Sequence, residues 1–73
     1  MKILIIGANG QIGTELAGEL VQRHGTSAVV TSDLAPQGKV PGLAHEALDC
    51  TDIGALTQIV ERHGITQVYH LAA

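Results

Sequence analysis

Phenylalanine and tryptophan are absent, and Tyr69 is the sole aromatic among 73 residues. The core must therefore be built from Ile, Leu, Val and Ala, as in parallel sheets covered by helices. A single cysteine, Cys50, excludes a disulfide framework and fits a reducing, cytoplasmic setting. Basic charge is scarce: four Lys and Arg stand against seven Asp and Glu, for a formal net charge of −3. Lys2, Arg23, Lys39 and Arg62 are scattered, which argues against a nucleic-acid footprint. The amino-terminal apolar run is far too short for a signal segment or a membrane span. Four histidines are present, but no two sit at a credible ligand spacing. His45-Glu46 lacks the second His of a zinc-protease helix, so no metal is expected. A chain this short makes at most one small domain.

What is present alternates regularly. Lys2 to Ile6 predicts a buried strand. Gln11 to His24 predicts a helix with Ile12, Leu16, Ala17, Leu20 and Val21 on one face and Gly25 as its carboxyl cap. Ala28 to Ser32 reads as a second strand, and Leu34 to Leu43, with Pro36, Gly38, Pro41 and Gly42, as a loop. Ala44 to Leu48 predicts a third strand. Thr51 or Asp52 caps a second helix, in which Ile53, Leu56, Ile59, Val60 and His63 recur at helical spacing up to Gly64. Gln67 to Leu71 is the fourth strand. Val21–Gly25 and Val60–Gly64 echo each other, through a shared way of ending a helix rather than a repeat. The alternation implies an α/β fold, a partial Rossmann unit with a doubly wound parallel sheet in the order 3-2-1-4 and helices on both faces.

The densest signal is Gly7-Ala8-Asn9-Gly10-Gln11-Ile12-Gly13, directly behind Ile3-Leu4-Ile5-Ile6, with Asp33 twenty residues after Gly13. Strand, glycine turn, helix, strand and acid is the order that holds a dinucleotide by its pyrophosphate and one ribose. Gly7 lets the chain turn sharply off the strand. Gly10, without a Cβ, lets backbone approach phosphate, and Gly13 lets the helix pack on the strand. The helix then begins with free N–H groups and the positive end of its dipole, which suit an anion. Asp33 can accept from ribose hydroxyls. It would repel a 2′-phosphate, and Leu34, Ala35 and Pro36 supply no cation, so NAD is expected rather than NADP. A tight turn with no ligand is the competing reading; the strand, helix and acid around the glycines favour the cofactor.

The Gly-x-x-Gly-x-x-Gly spacing, with His70-Leu71-Ala72-Ala73 behind the fourth strand, resembles the amino-terminal part of an extended short-chain dehydrogenase/reductase. That superfamily includes nucleotide-sugar epimerases, dehydratases and epimerase-like L-threonine dehydrogenases. The likeness covers essentially the whole chain, read as residues 1–73 of a dinucleotide-binding domain with no second domain. It implies that Asn9, Gln11 and Ile12, with the three glycines, lie along bound NAD, and that Leu34 flanks Asp33 there. It further implies that Asp49 and Cys50 reach the adenine, although Asp49 could instead cap the next helix. Leu71, Ala72 and Ala73 would form a small-residue wall for the cofactor, and His70 is expected to point into the sheet packing. Cys50 has no base beside it in sequence and is not expected to be a nucleophile.

Catalysis in the resembled family uses Tyr followed four residues later by Lys. Here Ala73 stands four residues after Tyr69, so no catalytic residue is assigned and Tyr69 is expected to be a strand packing residue. Among the subgroups, the stretch from Met1 to Leu16, Ser32-Asp33 and Val68 to Ala73 most resemble epimerase-like L-threonine dehydrogenases. These oxidise L-threonine to 2-amino-3-ketobutyrate with NAD. The alternatives are a nucleotide-sugar epimerase or dehydratase, a free-standing nucleotide-binding module, or a fragment that binds nothing. The fourth strand should present an open apolar edge, which the rest of a parent enzyme or a second copy would cover. The parent is expected to be a homodimer.

Overall fold

Ile3-Leu4-Ile5-Ile6 is apolar at every position, as a strand covered on both faces must be. A computed structural model describes residues 1–72 and places this segment, β1 (Ile3–Ile6), inside a parallel sheet. The other elements are α1 (Gln11–His24), β2 (Val29–Asp33), β3 (Ala44–Ala47), α2 (Ile53–His63) and β4 (Gln67–His70). The sheet order is β3-β2-β1-β4, the expected doubly wound arrangement. Ile3 stands opposite both Val29 and Gln67, so β1 is sandwiched between neighbours from the middle and the far end of the chain.

Alternation along β1 sorts its side chains between two cores. Ile3 and Ile5 pack with Val29, Ala17 and Leu20 on the α1 side. Leu4 and Ile6 pack with Val30, Leu48 and Ile59 on the α2 side. Fully burying such side chains contributes about 1.5–3 kcal/mol each, and all four β1 residues are at most 2% exposed.

Both helices end where glycine permits. Gly25 takes φ 89° and returns its N–H to the Val21 carbonyl. Gly64, at φ 65°, is a left-handed cap whose neighbour Ile65 donates to the Val60 carbonyl. The helix bounds match the sequence expectation, whereas the strands differ. Residues Thr26–Ala28 form a 3₁₀ turn closed by the Ala28 N–H on the Gly25 carbonyl, so the second strand starts at Val29 and reaches Asp33. The other three strands are each one residue shorter than expected.

Three packing expectations are corrected. Ile12 is 72% exposed and takes no part in the α1-side core, because it lines a cavity at the start of α1. His70 is exposed rather than packed, and Tyr69 is 39% exposed, because β4 pairs with β1 alone among the described residues. Val68 and Leu71 are exposed beside them, which gives the apolar open edge that was expected.

Candidate functional site

Two adjoining cavities open over the carboxyl ends of the strands, and Gly7 and Gly10 line both. The larger, about 480 Å³, is bounded by Ile6, Asp33, Leu34, Leu48, Asp49, Cys50, Thr51 and Ala72. The second, about 400 Å³, lies between Gln11, Ile12 and Gly13 on one side and Leu71 on the other. The crevice therefore starts where the winding reverses between β1 and β4, and spreads across β2 to β3. Ligands of open α/β sheets bind at such a switch point.

The glycines do three different things. Gly7 adopts φ +81°, and a Cβ there would lie 2.7 Å from the Ala72 backbone nitrogen. It is needed both for the turn and for close passage of the chain leaving β4. A Cβ on Gly13 would lie 2.6 Å from the Ala8 carbonyl oxygen, so the helix seats on the backbone of the turn, not on the strand as anticipated. Gly10 has ordinary backbone angles, and a Cβ there would have only the Gly7 carbonyl oxygen within reach, at 4.0 Å. The space it leaves belongs to the cavities.

The turn is tied down from below. The Ser32 carbonyl accepts the N–H groups of both Gly7 and Ala8, at 3.0 and 2.9 Å, and the Ser32 hydroxyl donates to the Ile5 carbonyl at 2.8 Å. Ser32 is fully buried. Gly10, the residue before α1, offers no side-chain acceptor, and no acid stands in the first helical turn. The leading N–H groups of α1 are thus left for whatever enters the crevice, as the first N–H groups of any helix lack an internal partner. By contrast, the Asp52 carboxylate caps α2 by accepting from the Ala55 N–H at 3.0 Å.

Asp33 ends β2 inside the larger cavity. Its two carboxylate oxygens accept the N–H groups of Asn9 and Leu34, at 3.0 and 2.8 Å, and so the carboxylate plane is set before any ligand arrives. Each oxygen retains a lone pair for a hydroxyl. Asp49 is exposed at the rim, and one of its oxygens accepts both the N–H and the hydroxyl of Thr51, at 2.9 and 2.7 Å. Those bonds hold its carboxyl below the usual aspartate range, the side-chain bond contributing most. With Asp52 as the helix cap, Asp49 is left at the cavity.

Most residues singled out from the sequence meet here. Asn9 differs, since its side chain turns to the loop after β2: its amide donates to the Gln37 carbonyl and accepts the Lys39 N–H. Ala73 lies outside the described residues. Thr51, Leu48 and Ser32 were not expected at the site. Asp49-Cys50-Thr51 carried a usable signal, because Asp two residues before a free N–H readily forms an Asx turn. Ser32 carried none, since its role depends on β1 passing alongside. Among the described residues no three His, Cys, Asp or Glu gather as a metal site, and no helix is long and apolar enough to cross a membrane.

An open parallel α/β sheet, with a glycine turn, an uncapped helix start and a fixed acid at its switch point, defines a dinucleotide-binding type of fold and crevice. The profile of the NAD dependent epimerase/dehydratase family matches residues 3–73, and the chain belongs to that family. It is 60% identical to the GalE-like L-threonine dehydrogenase of Cupriavidus necator in its holo form, with a TM-score of 0.98 over 100% of this chain and 24% of that one. It is 26% identical to the Thermus thermophilus UDP-glucose 4-epimerase solved with NAD, with a TM-score of 0.84 over 100% of this chain and 24% of that one. A curated relative in Staphylococcus epidermidis, described as an uncharacterized epimerase/dehydratase, is 39% identical over 99% of this chain and 24% of its own length. The chain therefore spans about a quarter of the proteins it matches.

Proposed function

We propose that this chain is the NAD-binding, amino-terminal part of an NAD-dependent L-threonine 3-dehydrogenase. The observation that carries the reading is the identity of 60% with the Cupriavidus necator threonine dehydrogenase, against 26% with the UDP-glucose epimerase, across the same residues. The residues present fit the cofactor. The Gly10 opening and the uncapped start of α1, with Gln11, Ile12 and Gly13, would hold the diphosphate. Asp33 would accept from the ribose hydroxyls, with Leu34, Asp49 and Cys50 around the adenine. Leu71 and Ala72 would wall the opposite side. When bound, NAD supplies the hydride acceptor for oxidation of an alcohol. This chain's own part is to bind, orient and exclude water; the Tyr-x-x-x-Lys pair that moves the proton is not among its residues.

In this reading the free edge of β4 pairs with further sheet of the whole enzyme, or with a second copy. The whole enzyme is a homodimer in a reducing, cytoplasmic setting. The second reading, a nucleotide-sugar epimerase or dehydratase, is favoured by the naming of the Staphylococcus epidermidis relative. Assaying the full-length protein for NADH production with L-threonine, and for epimerisation of UDP-sugars, separates the two. Threonine-dependent NADH is the expected result; sugar turnover without threonine oxidation would overturn the proposal.

A further inference from the structure

Asn9 is followed by Gly10, which is exposed and lines both cavities. Asparagine before glycine carries a chemistry of its own. With no Cβ in the way, the glycine nitrogen can reach the side-chain carbonyl carbon of the asparagine and close a five-membered ring. The Gly10 nitrogen would give up its proton and bond to Asn9 Cγ. The Cγ–Nδ2 bond breaks, and the departing amide group takes up a proton and leaves as ammonia. Water then opens the succinimide at either carbonyl, giving aspartate or isoaspartate. Nothing is oxidised or reduced, and water is the only co-reactant.

The turn leaves the attacking atom open. The N–H groups of Gly7 and Ala8 go to the Ser32 carbonyl and that of Asn9 to the Asp33 carboxylate. No acceptor among the described residues takes the Gly10 N–H. What restrains the reaction is the Asn9 side chain, whose amide donates to the Gln37 carbonyl at 3.0 Å and accepts the Lys39 N–H at 3.2 Å. Gln37, Gly38 and Lys39 are all exposed, and bonds at such a solvent-facing loop open locally.

The product could not restore what the amide held. A carboxylate still accepts from Lys39, but it has no N–H for the Gln37 carbonyl and would meet it as a second acceptor. Its charge would stand one residue from Gly10, on the residue whose backbone N–H orients Asp33. Isoaspartate would also lengthen the main chain by one methylene before Gly10, and so displace the start of α1 from Asp33.

We propose that Asn9 is a deamidation site guarded by the cofactor. A diphosphate on the Gly10 N–H blocks ring closure, whereas an empty crevice lets Asn9 convert to an acid that holds the dinucleotide poorly. The inference rests on the dinucleotide reading above and adds a covalent ageing step to that same site.

The test ages the full-length protein carrying this chain at mildly alkaline pH, with and without saturating NAD. A free peptide spanning Ala8 to Thr14 sets the unrestrained rate. Peptide mass spectrometry reads aspartate and isoaspartate at residue 9, and calorimetry reads NAD affinity. The NAD-free protein should convert more slowly than the peptide, and the NAD-bound protein more slowly still. Affinity should fall in step with conversion, by about tenfold in the converted molecules, as for a unit charge several ångströms from the diphosphate. Asn9→Asp should start with that loss, and Asn9→Gln, which cannot close the five-membered ring, should lose no affinity on ageing. An Asn9 still intact in NAD-free protein once the peptide has converted would overturn the proposal. So would equal conversion with and without NAD, or full affinity in the converted protein. In each of those cases NAD binding by the fresh protein leaves the dinucleotide reading standing; fresh protein that binds no NAD would overturn both.

Discussion

The Asn9 backbone N–H donates to the Asp33 carboxylate at 3.0 Å across 24 positions of chain. It joins the glycine turn after β1 to the acid that ends β2, so the two halves of the candidate site share one geometry. A change in either is felt by both.

Asp33→Ala should weaken NAD binding by about 1.5–3 kcal/mol, the range for hydrogen bonds to a charged group. It should also lessen discrimination against NADP, since the repelling charge is removed. Calorimetric titration of the full-length protein with each cofactor checks both effects. An unchanged NAD affinity would mean that the carboxylate serves only Asn9 and Leu34.

Gly10 and Gly13 should separate binding from folding. Gly10→Val places its side chain in open cavity and should abolish cofactor binding with helical circular dichroism retained. Gly13→Ala drives a methyl group into the Ala8 backbone, 2.6–2.8 Å away, and should cost about 1–3 kcal/mol of stability, as overpacking does. Thermal melts beside NAD titrations distinguish the two. Full NAD affinity in Gly10→Val would make the turn purely structural.

On the opposite face, Glu46 of β3 bonds His63 at 2.7 Å and Arg62 at 2.8 Å, stapling the end of α2 to the sheet. The His63 bond, with Arg62 adding to it, lowers the Glu46 pKa. A carboxyl whose folded value is depressed contributes stability that is fully present above its unfolded pKa of about 4.3. That contribution is lost as pH falls through the lowered folded value. Glu46→Gln should therefore flatten the acid limb of the stability curve below about pH 4.3, as read by denaturant midpoints across pH. An unaltered acid limb would show that the staple contributes nothing.

Asp52→Ala should remove the α2 cap and cost about 0.5–2 kcal/mol. Asp49→Ala should leave α2 as stable as before, because its bonds go to Thr51 and not to the helix. Urea melts of the two variants side by side test the division of labour. Equal losses would assign Asp49 a capping role after all.

Much of this was legible in the sequence because its cues are local. Gly25 and Gly64 end helices whatever surrounds them, and Asp52 caps α2 through a neighbour three residues on. The sheet order followed from alternation plus the handedness of crossovers. The misses all depended on distant partners or on element ends. Ala28 is as apolar as a strand residue, yet Gly25 draws it into a 3₁₀ turn. Ile12 keeps the helical period but lines the crevice instead of joining the core. Asn9 looked like another residue along the phosphates, and only the folded loop, 28 and 30 positions away, occupies its amide.

Of the two inner strands, β1 precedes both of its neighbours in the chain. Ile3 pairs with Val29 on one side and with Gln67 on the other, so a ribosome releases β1 long before either neighbour exists. At about 5–20 residues per second, the wait for β4 lasts roughly 3–13 s. Through that interval four consecutive branched aliphatic residues have no finished sheet to enter. Nascent-chain chaperones that recognise short apolar segments should therefore engage Ile3–Ile6 first, and a translational pause before Gln67 would lengthen their hold on it.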